Sequence, residues 1–387
     1  MSSRRKFLKN TVFSGLTFCS CEMLGSAFAQ TRDLGGKDAG NDPLLSFKHP
    51  LAGTKRAPTI IDGKKVKTID VHAHCFFQEA VALAGTGASV NGAVKGGPQH
   101  YFSFTDDTVL KDRLESMDAM GIDMQVLSVN TFWYRKDREL ATEICRINND
   151  NLAKLCALHP TRFNAFGCLA MQFPDLAVKQ LEAIMKTPGM KGAAIQANVA
   201  GIEFSDPMFD PIWAKGQELG AAFFIHPQST PELAKRFKGN GWMSNVIGNP
   251  LDTTIALQHL IYEGTLEKFP RIKFIAAHGG GFLGSYAPRM DYSCFISPGN
   301  CDTSIVLKKK PTEYLRQLYF DTLVFTPEAL KHLANQVGTS QLMIGTDQPI
   351  PWSIDPVGHV METPLTNRER IALLGANARR VLNITNI

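Results

Sequence analysis

Ten histidines are spread along a chain of 387 residues, and two of them stand two apart, in Thr68-Ile69-Asp70-Val71-His72-Ala73-His74. The run before them is apolar and reads as a strand. In an extended chain, side chains at i and i+2 leave on the same side. Two imidazoles would then emerge together, as two ligands of one metal require. Three later apolar runs also end in a candidate ligand: Ala222-Phe223-Phe224-Ile225-His226, Phe274-Ile275-Ala276-Ala277-His278 and Leu342-Met343-Ile344-Gly345-Thr346-Asp347. Nitrogen and carboxylate donors suit zinc, and also manganese or iron. His72, His74, His226 and Asp347 make a sufficient set for one divalent ion. His278 would then stand beside a metal-bound water as general acid or base, or serve as one more ligand. The glycines after it, Gly279-Gly280-Gly281, would allow close approach of a substrate or serve a tight turn. His49, His100, His159, His259, His332 and His359 lack the strand-end context and read as structural or surface residues, with His100 a candidate flap contact.

Convergence of these ligands needs a scaffold that gathers strand ends. Strand-like runs appear at 66–71, 123–129, 163–170, 190–196, 220–225, 272–277, 317–322 and 341–346. Helical patterns lie between and after them, at 106–120, 136–158, 174–187, 207–219, 252–268, 282–293, 326–337 and 366–382. Eight strands alternating with helices predict an α/β fold, a (β/α)8 TIM barrel, whose strand C-termini open on one face that carries the chemistry. Asp206-Pro207 and Thr326-Pro327 place an N-cap before a helix-opening proline, and Asp106 could cap the first helix. Gly121, Gly220 and Gly338 stand where helices end. The structural rival, a doubly wound open sheet, would want a glycine-rich phosphate turn after the first strand, where His-Ala-His stands instead. Residues 75–105 form an insertion after strand 1 and suggest a flap over the mouth; residues 349–364 make a second long mouth loop.

The N-terminus reads differently. Ser3-Arg4-Arg5-Lys6-Phe7-Leu8-Lys9, an apolar stretch from Thr11 to Leu24 and the small-x-small Ala27-Phe28-Ala29 give a twin-arginine signal peptide over 1–29, hence periplasmic localisation. The apolar stretch is too short for a permanent membrane span. Residues 30–65 read as an extended surface arm, and 66–387 as the barrel domain. The leader holds four of the 41 basic residues and one of the 36 acidic ones, so a formal charge of +5 falls to about +2 in the remainder. No basic stripe with interleaved aromatics appears, which argues against nucleic acid as a partner. Of eight cysteines, Cys145, Cys156 and Cys168 fall in apolar runs and read as buried thiols. Cys294 and Cys301 flank a Pro-Gly loop and could pair in an oxidising compartment.

With these residues placed, the chain resembles the amidohydrolase superfamily, in the branch of aminocarboxymuconate-semialdehyde decarboxylase. The resemblance spans Lys67 to Leu382. It is carried by Ile69-Asp70-Val71-His72-Ala73-His74, Ile225-His226-Pro227, Leu266-Glu267-Lys268-Phe269-Pro270, Ala277-His278-Gly279-Gly280-Gly281, Gly345-Thr346-Asp347 and Gly375-Ala376-Asn377-Ala378. It implies one metal, usually zinc, on His72, His74, His226 and Asp347, with His278 and Asp347 as catalytic groups. It implies that Arg289 reaches a substrate carboxylate in the neighbouring subunit's site, and so a homodimer. The chain also departs from that pattern. Gln228 stands where an aromatic lines the substrate, Phe325 where a histidine is usual, and no second substrate arginine is found among residues 99–105. The expectation is therefore a carboxy-lyase for a small unsaturated or aromatic carboxylic acid. The alternative is a hydrolase that uses the same site on an ester, lactone, amide or C–C bond.

Overall fold

In a computed structural model of the chain, residues 56–85, 108–228, 230–350, 352 and 355–387 are described, and all of them fall in one compact unit. The segments expected to be a signal peptide, most of the arm and the middle of the flap lie outside the described residues, as do Asp106, His49 and His100.

Eight parallel strands run β1 Ile69–His74, β2 Met124–Ser128, β3 Phe163–Cys168, β4 Met190–Ile195, β5 Ala222–Ile225, β6 Lys273–Ala276, β7 Tyr319–Asp321 and β8 Leu342–Met343. Each pairs with the next in sequence order. Parallel bridges from Asp70 to Ile344 and from Ala73 to Gln348 join the first strand to the last and close the barrel. The expected (β/α)8 architecture is therefore the observed one. The helices that alternate with the strands are α1 Thr108–Met120, α2 Arg138–Leu158, α3 Pro174–Lys186, α4 Asp210–Leu219, α5 Asn249–Tyr262, α6 Leu283–Ile296, α7 Pro327–Val337 and the segmented α8, Asn367–Ile371, Ala372–Ala376 and Asn377–Val381; short helices also form at Gln78–Ala84, Thr265–Lys268 and Pro356–Glu362.

Two apolar layers hold this together. The larger lies between strands and helices and includes Leu127, Ile144, Leu181, Trp213, Phe274 and Leu330. The smaller fills the barrel interior with Ile69, Val71, Met124, Val126, Phe166, Phe224, Ile275 and Met343. Caps act where expected: the Thr326 side chain accepts from Ala329 N, and that of Asp206 from Met208 N before a 3-10 turn that leads into α4. Gly121, Gly220 and Gly338 all take positive φ at helix ends.

Three expectations are corrected. The helix over 252–268 is two, α5 and Thr265–Lys268, because Gly264 adopts a left-handed conformation (φ 79°) between them. The last helix is interrupted by the π-helical turn Ala372–Ala376. The end of the arm, read as an extended surface segment, forms a hairpin pairing Ile60 with Lys65 and Ile61 with Lys64. Its turn is Asp62-Gly63, both at positive φ, a favoured two-residue hairpin pair.

Candidate metal centre

Strand β1 alone would not aim its histidines correctly. Its first residues, Ile69 and Val71, belong to the barrel interior, so on strict alternation Asp70, His72 and His74 would face out. The pairing of β1 with β2 shifts register between Asp70 and Ala73. Beyond that bulge, Ala73 and Cys75 join the outer layer and the histidines turn inward, His72 meeting the interior ring of Phe224 at 5.0 Å. Asp70 fixes the seam. Its Oδ1 accepts from His72 N (2.9 Å) and Thr346 N (3.1 Å), and its Oδ2 from Thr346 Oγ1 (2.7 Å) and Gln125 Nε2 (2.9 Å). Burial pushes the Asp70 carboxyl up to about 6 despite these donors.

Four of the predicted ligands meet. His72, His74, His226 and Asp347 are all buried, and one ligand atom from each lies within 4.8 Å of the others. The Nε2 atoms of His72 and His74 are 3.1 Å apart, and each is 3.1 Å from Asp347 Oδ1; His226 Nε2 is 4.0 Å from the same oxygen. Two ligands about 2.1 Å from a common ion at a tetrahedral angle lie about 3.4 Å apart, so this spacing fits a first-row divalent cation. The outer ring nitrogens are already committed: His72 Nδ1 to Asp321 Oδ2 (2.6 Å) and His74 Nδ1 to Ser128 Oγ (2.9 Å). Those bonds turn both Nε2 atoms to the centre, as metal-ligating histidines require. His226 is buried with neither ring nitrogen hydrogen-bonded. A buried imidazole in that state fits a ligand role, because a buried polar atom without a partner is otherwise unfavourable.

Electrostatics agree. Burial holds His74 down to about 4, and burial with the neighbouring imidazoles holds His226 well below the usual range, so both rings are neutral donors at neutral pH. Burial also opposes charge on His72, yet Asp347 and then Asp321 push it up to about 10. Asp347 stays well below the usual carboxylate range: burial favours its neutral form, and His72 with His278 and His74 overcomes it.

His278 stands on the other side of Asp347, its Nε2 3.8 Å from Oδ2. It follows β6 at a left-handed φ of 55°. Asp321 clamps that turn, accepting from His278 N (2.9 Å) and Gly279 N (2.8 Å). The three glycines serve the turn rather than a substrate's approach. A Cβ on Gly279 would meet Val324, one on Gly280 would meet Phe320, and one on Gly281 would lie 2.0 Å from Pro250 O.

The two predicted substrate contacts are not among the four ligands. Gln228 follows His226-Pro227 and donates its amide to Thr131 O and Oγ1. Arg289 lies exposed on α6, with no carboxylate partner among the described residues. His359, read as structural or surface, is buried. Asp321 was missed, although Tyr319-Phe320-Asp321 ends a strand run with an acid just as the other ligand runs end. Trp352 was missed too; its indole Nε1 donates to Asp347 Oδ2 at 2.9 Å. Cys294 and Cys301 are disulfide-bonded, while Cys75, Cys145, Cys156 and Cys168 are buried free thiols.

The profile of the amidohydrolase family matches residues 69–384. A 2-amino-3-carboxymuconate-6-semialdehyde decarboxylase from Dictyostelium discoideum is 30% identical over 276 residues, 70% of this chain and 76% of that one. A gamma-resorcylate decarboxylase from Rhizobium radiobacter is 25% identical over 303 residues, 74% and 89% of the two chains. The crystal structure of 5-carboxyvanillate decarboxylase from Sphingomonas paucimobilis superposes with a TM-score of 0.72 at 26% identity, covering 83% of this chain and 100% of that one.

Proposed function

The chain belongs to the amidohydrolase family, and from that premise we propose that it is a metal-dependent, non-oxidative decarboxylase of a small aromatic carboxylic acid. The observation that carries this is the shared carboxylate. Asp347 turns Oδ1 to three imidazoles and Oδ2 to His278, so one side chain links the ion's site to the group that handles a proton. The relatives it resembles are decarboxylases in three different names.

A divalent cation on His72, His74, His226 and Asp347 would supply positive charge to hold the substrate carboxylate and an adjacent oxygen. The nitrogen-rich donor set suits zinc, and manganese is the second choice. The chain's own part is proton management. When the C–C bond to CO2 breaks, its electron pair stays on the ring carbon and must take up a proton. His278, with its side chain only 13% exposed and 3.8 Å from Asp347 Oδ2, is the group placed to deliver it.

Three finer readings join the proposal. Arg289 reaches the substrate carboxylate of a second copy in a homodimer. In support, the same helix exposes Tyr286, Tyr292, Phe295 and Ile296, the last two 82% and 74% exposed. Gln228 borders the substrate beside His226. The protein is exported to the periplasm and cleaved before Gln30. The Cys294–Cys301 disulfide supports this, since such bonds persist in oxidising compartments. Among the described residues, no helix is long and apolar enough to cross a membrane.

The test is CO2 release by the protein from Gln30 onward, loaded with zinc or manganese, over a panel of hydroxylated benzoic acids. His278→Ala is the blank. Release that vanishes in the variant is expected. No release, with ester or lactone cleavage instead, would move the protein to the hydrolases.

A further inference from the structure

Seven non-glycine residues among those described have positive φ, and four of them gather at the mouth of the barrel: His278, Asp347, Phe325 and Trp242. Two of these belong to the centre already described. The other two are bulky aromatics, for which a left-handed backbone is unfavourable and persists only where the surroundings enforce it. Core packing does not explain them, because Trp242 is 43% exposed and Phe325 is 50% exposed. Trp352 connects them. Its ring stacks on Trp242 (centroids 6.3 Å, planes 24° apart) and meets Phe325 edge-on (5.2 Å, 74°). Its indole N–H reaches Asp347 Oδ2, the same oxygen that faces His278. The three aromatics come from the segments after β5, β7 and β8, so no local pattern brings them together.

We propose that Trp242, Phe325 and Trp352 form an aryl-recognition wall, and that Trp352 is also a positioning residue for Asp347. This rests on the decarboxylase reading and deepens it by naming the residues of this chain that would recognise the ring of its aromatic acid. An exposed wall of aliphatic side chains would take a saturated ring equally well. Indole and phenyl groups favour another π-system through offset or edge-on contact. The Trp352 N–H holds Asp347 so that Oδ1 stays on the imidazoles. A ring seated against Trp352 is thereby registered against the carboxylate beside His278.

The experiment compares two probes with the same donor atoms, salicylate and its saturated counterpart cis-2-hydroxycyclohexanecarboxylate. Each is titrated calorimetrically into the manganese-loaded protein. Wild type is expected to prefer salicylate. Trp242→Ala and Phe325→Ala are each expected to weaken salicylate about 3- to 10-fold, the size of one aromatic pairing, while leaving the saturated acid within about twofold. Trp242→Leu and Phe325→Leu keep volume and repeat the comparison if an alanine variant fails to fold. Trp352→Phe keeps a ring and removes the N–H. It should retain the aryl preference yet weaken metal binding about 10-fold in a chelator competition, the lower end of what losing a hydrogen bond to a ligand costs. Equal weakening of both acids, no preference in wild type, or failure of salicylate to bind in the millimolar range overturns the wall. Unchanged metal affinity in Trp352→Phe overturns the positioning role. Binding is read independently of turnover. Preference without CO2 release would sink the decarboxylase reading alone, and CO2 release without preference would sink the wall alone.

Discussion

Asp321 orients His72 through Nδ1 and, with the same carboxylate, pins the backbone of His278 and Gly279. Asp321→Asn keeps an acceptor of nearly the same shape and removes the charge. The expected result is a loss of about 10- to 100-fold in metal affinity, measured by chelator competition. Unaltered affinity would mean that packing alone holds the His72 ring. The raised pKa of His72 gives a second expectation. Without an ion, Asp347 and then Asp321 overcome the effect of burial and hold it up to about 10, so its ring should carry a proton at pH 7, whereas His74, held down to about 4, should already be neutral. Ligation requires neutral imidazole, so binding one ion should release about one proton. Affinity should therefore rise with pH below about 10 and level off above it. Calorimetry in buffers of different ionisation enthalpy counts that proton, and a count of zero would refute the charge on His72. In this part of the molecule the ligands were readable from sequence, because a strand that ends in His or Asp announces itself. Asp321 carries the same local signal, and only its contact with His72 Nδ1 separates it from the ligands themselves.

Among the elements, the turn after β6 shows how tightly His278 is built in. Gly281 has φ 66°, and a Cβ there would lie 2.0 Å from Pro250 O, which is backbone and cannot swing aside. Gly281→Ala should destabilise the fold by about 2 kcal/mol or more in urea denaturation. It should also lower CO2 release by displacing His278. Wild-type stability in that variant would show that the turn is plastic. The sequence readily identifies Gly-Gly-Gly as special, but not which of two roles it plays; a substrate's approach and a backbone's approach leave the same signature. Element boundaries were legible to within a few residues wherever caps were explicit, as at Thr326. They were not where helices contain wide turns or left-handed glycines, as at Gly264 and in Ala372–Ala376, because both patterns preserve the apolar spacing of a continuous helix.

For the molecule as a whole, the ion's site lies where β1, β5 and β8 converge, so metal binding should tie the barrel's seam to its far wall. Anything that binds only the folded state stabilises it, by about 4 kcal/mol at a thousandfold excess over the dissociation constant. Chelation of the loaded protein should therefore lower Tm by several degrees, and added zinc or manganese should restore it. An unchanged Tm would argue that the four ligands hold no ion tightly. The alternation of eight strands and helices, the ligand set and its strand-end placement were determined by the sequence by itself, since they depend on residue type and local period. The inward turn of His72 and His74 was decided only in three dimensions. A register shift against β2 flips which face a side chain takes, and no property of β1 alone encodes its neighbour's register. The same holds for Asp321 on His72, for Asp70 on Thr346 and for Trp352 between Trp242 and Phe325. Each joins residues distant in the chain, and their proximity exists only once the barrel has closed.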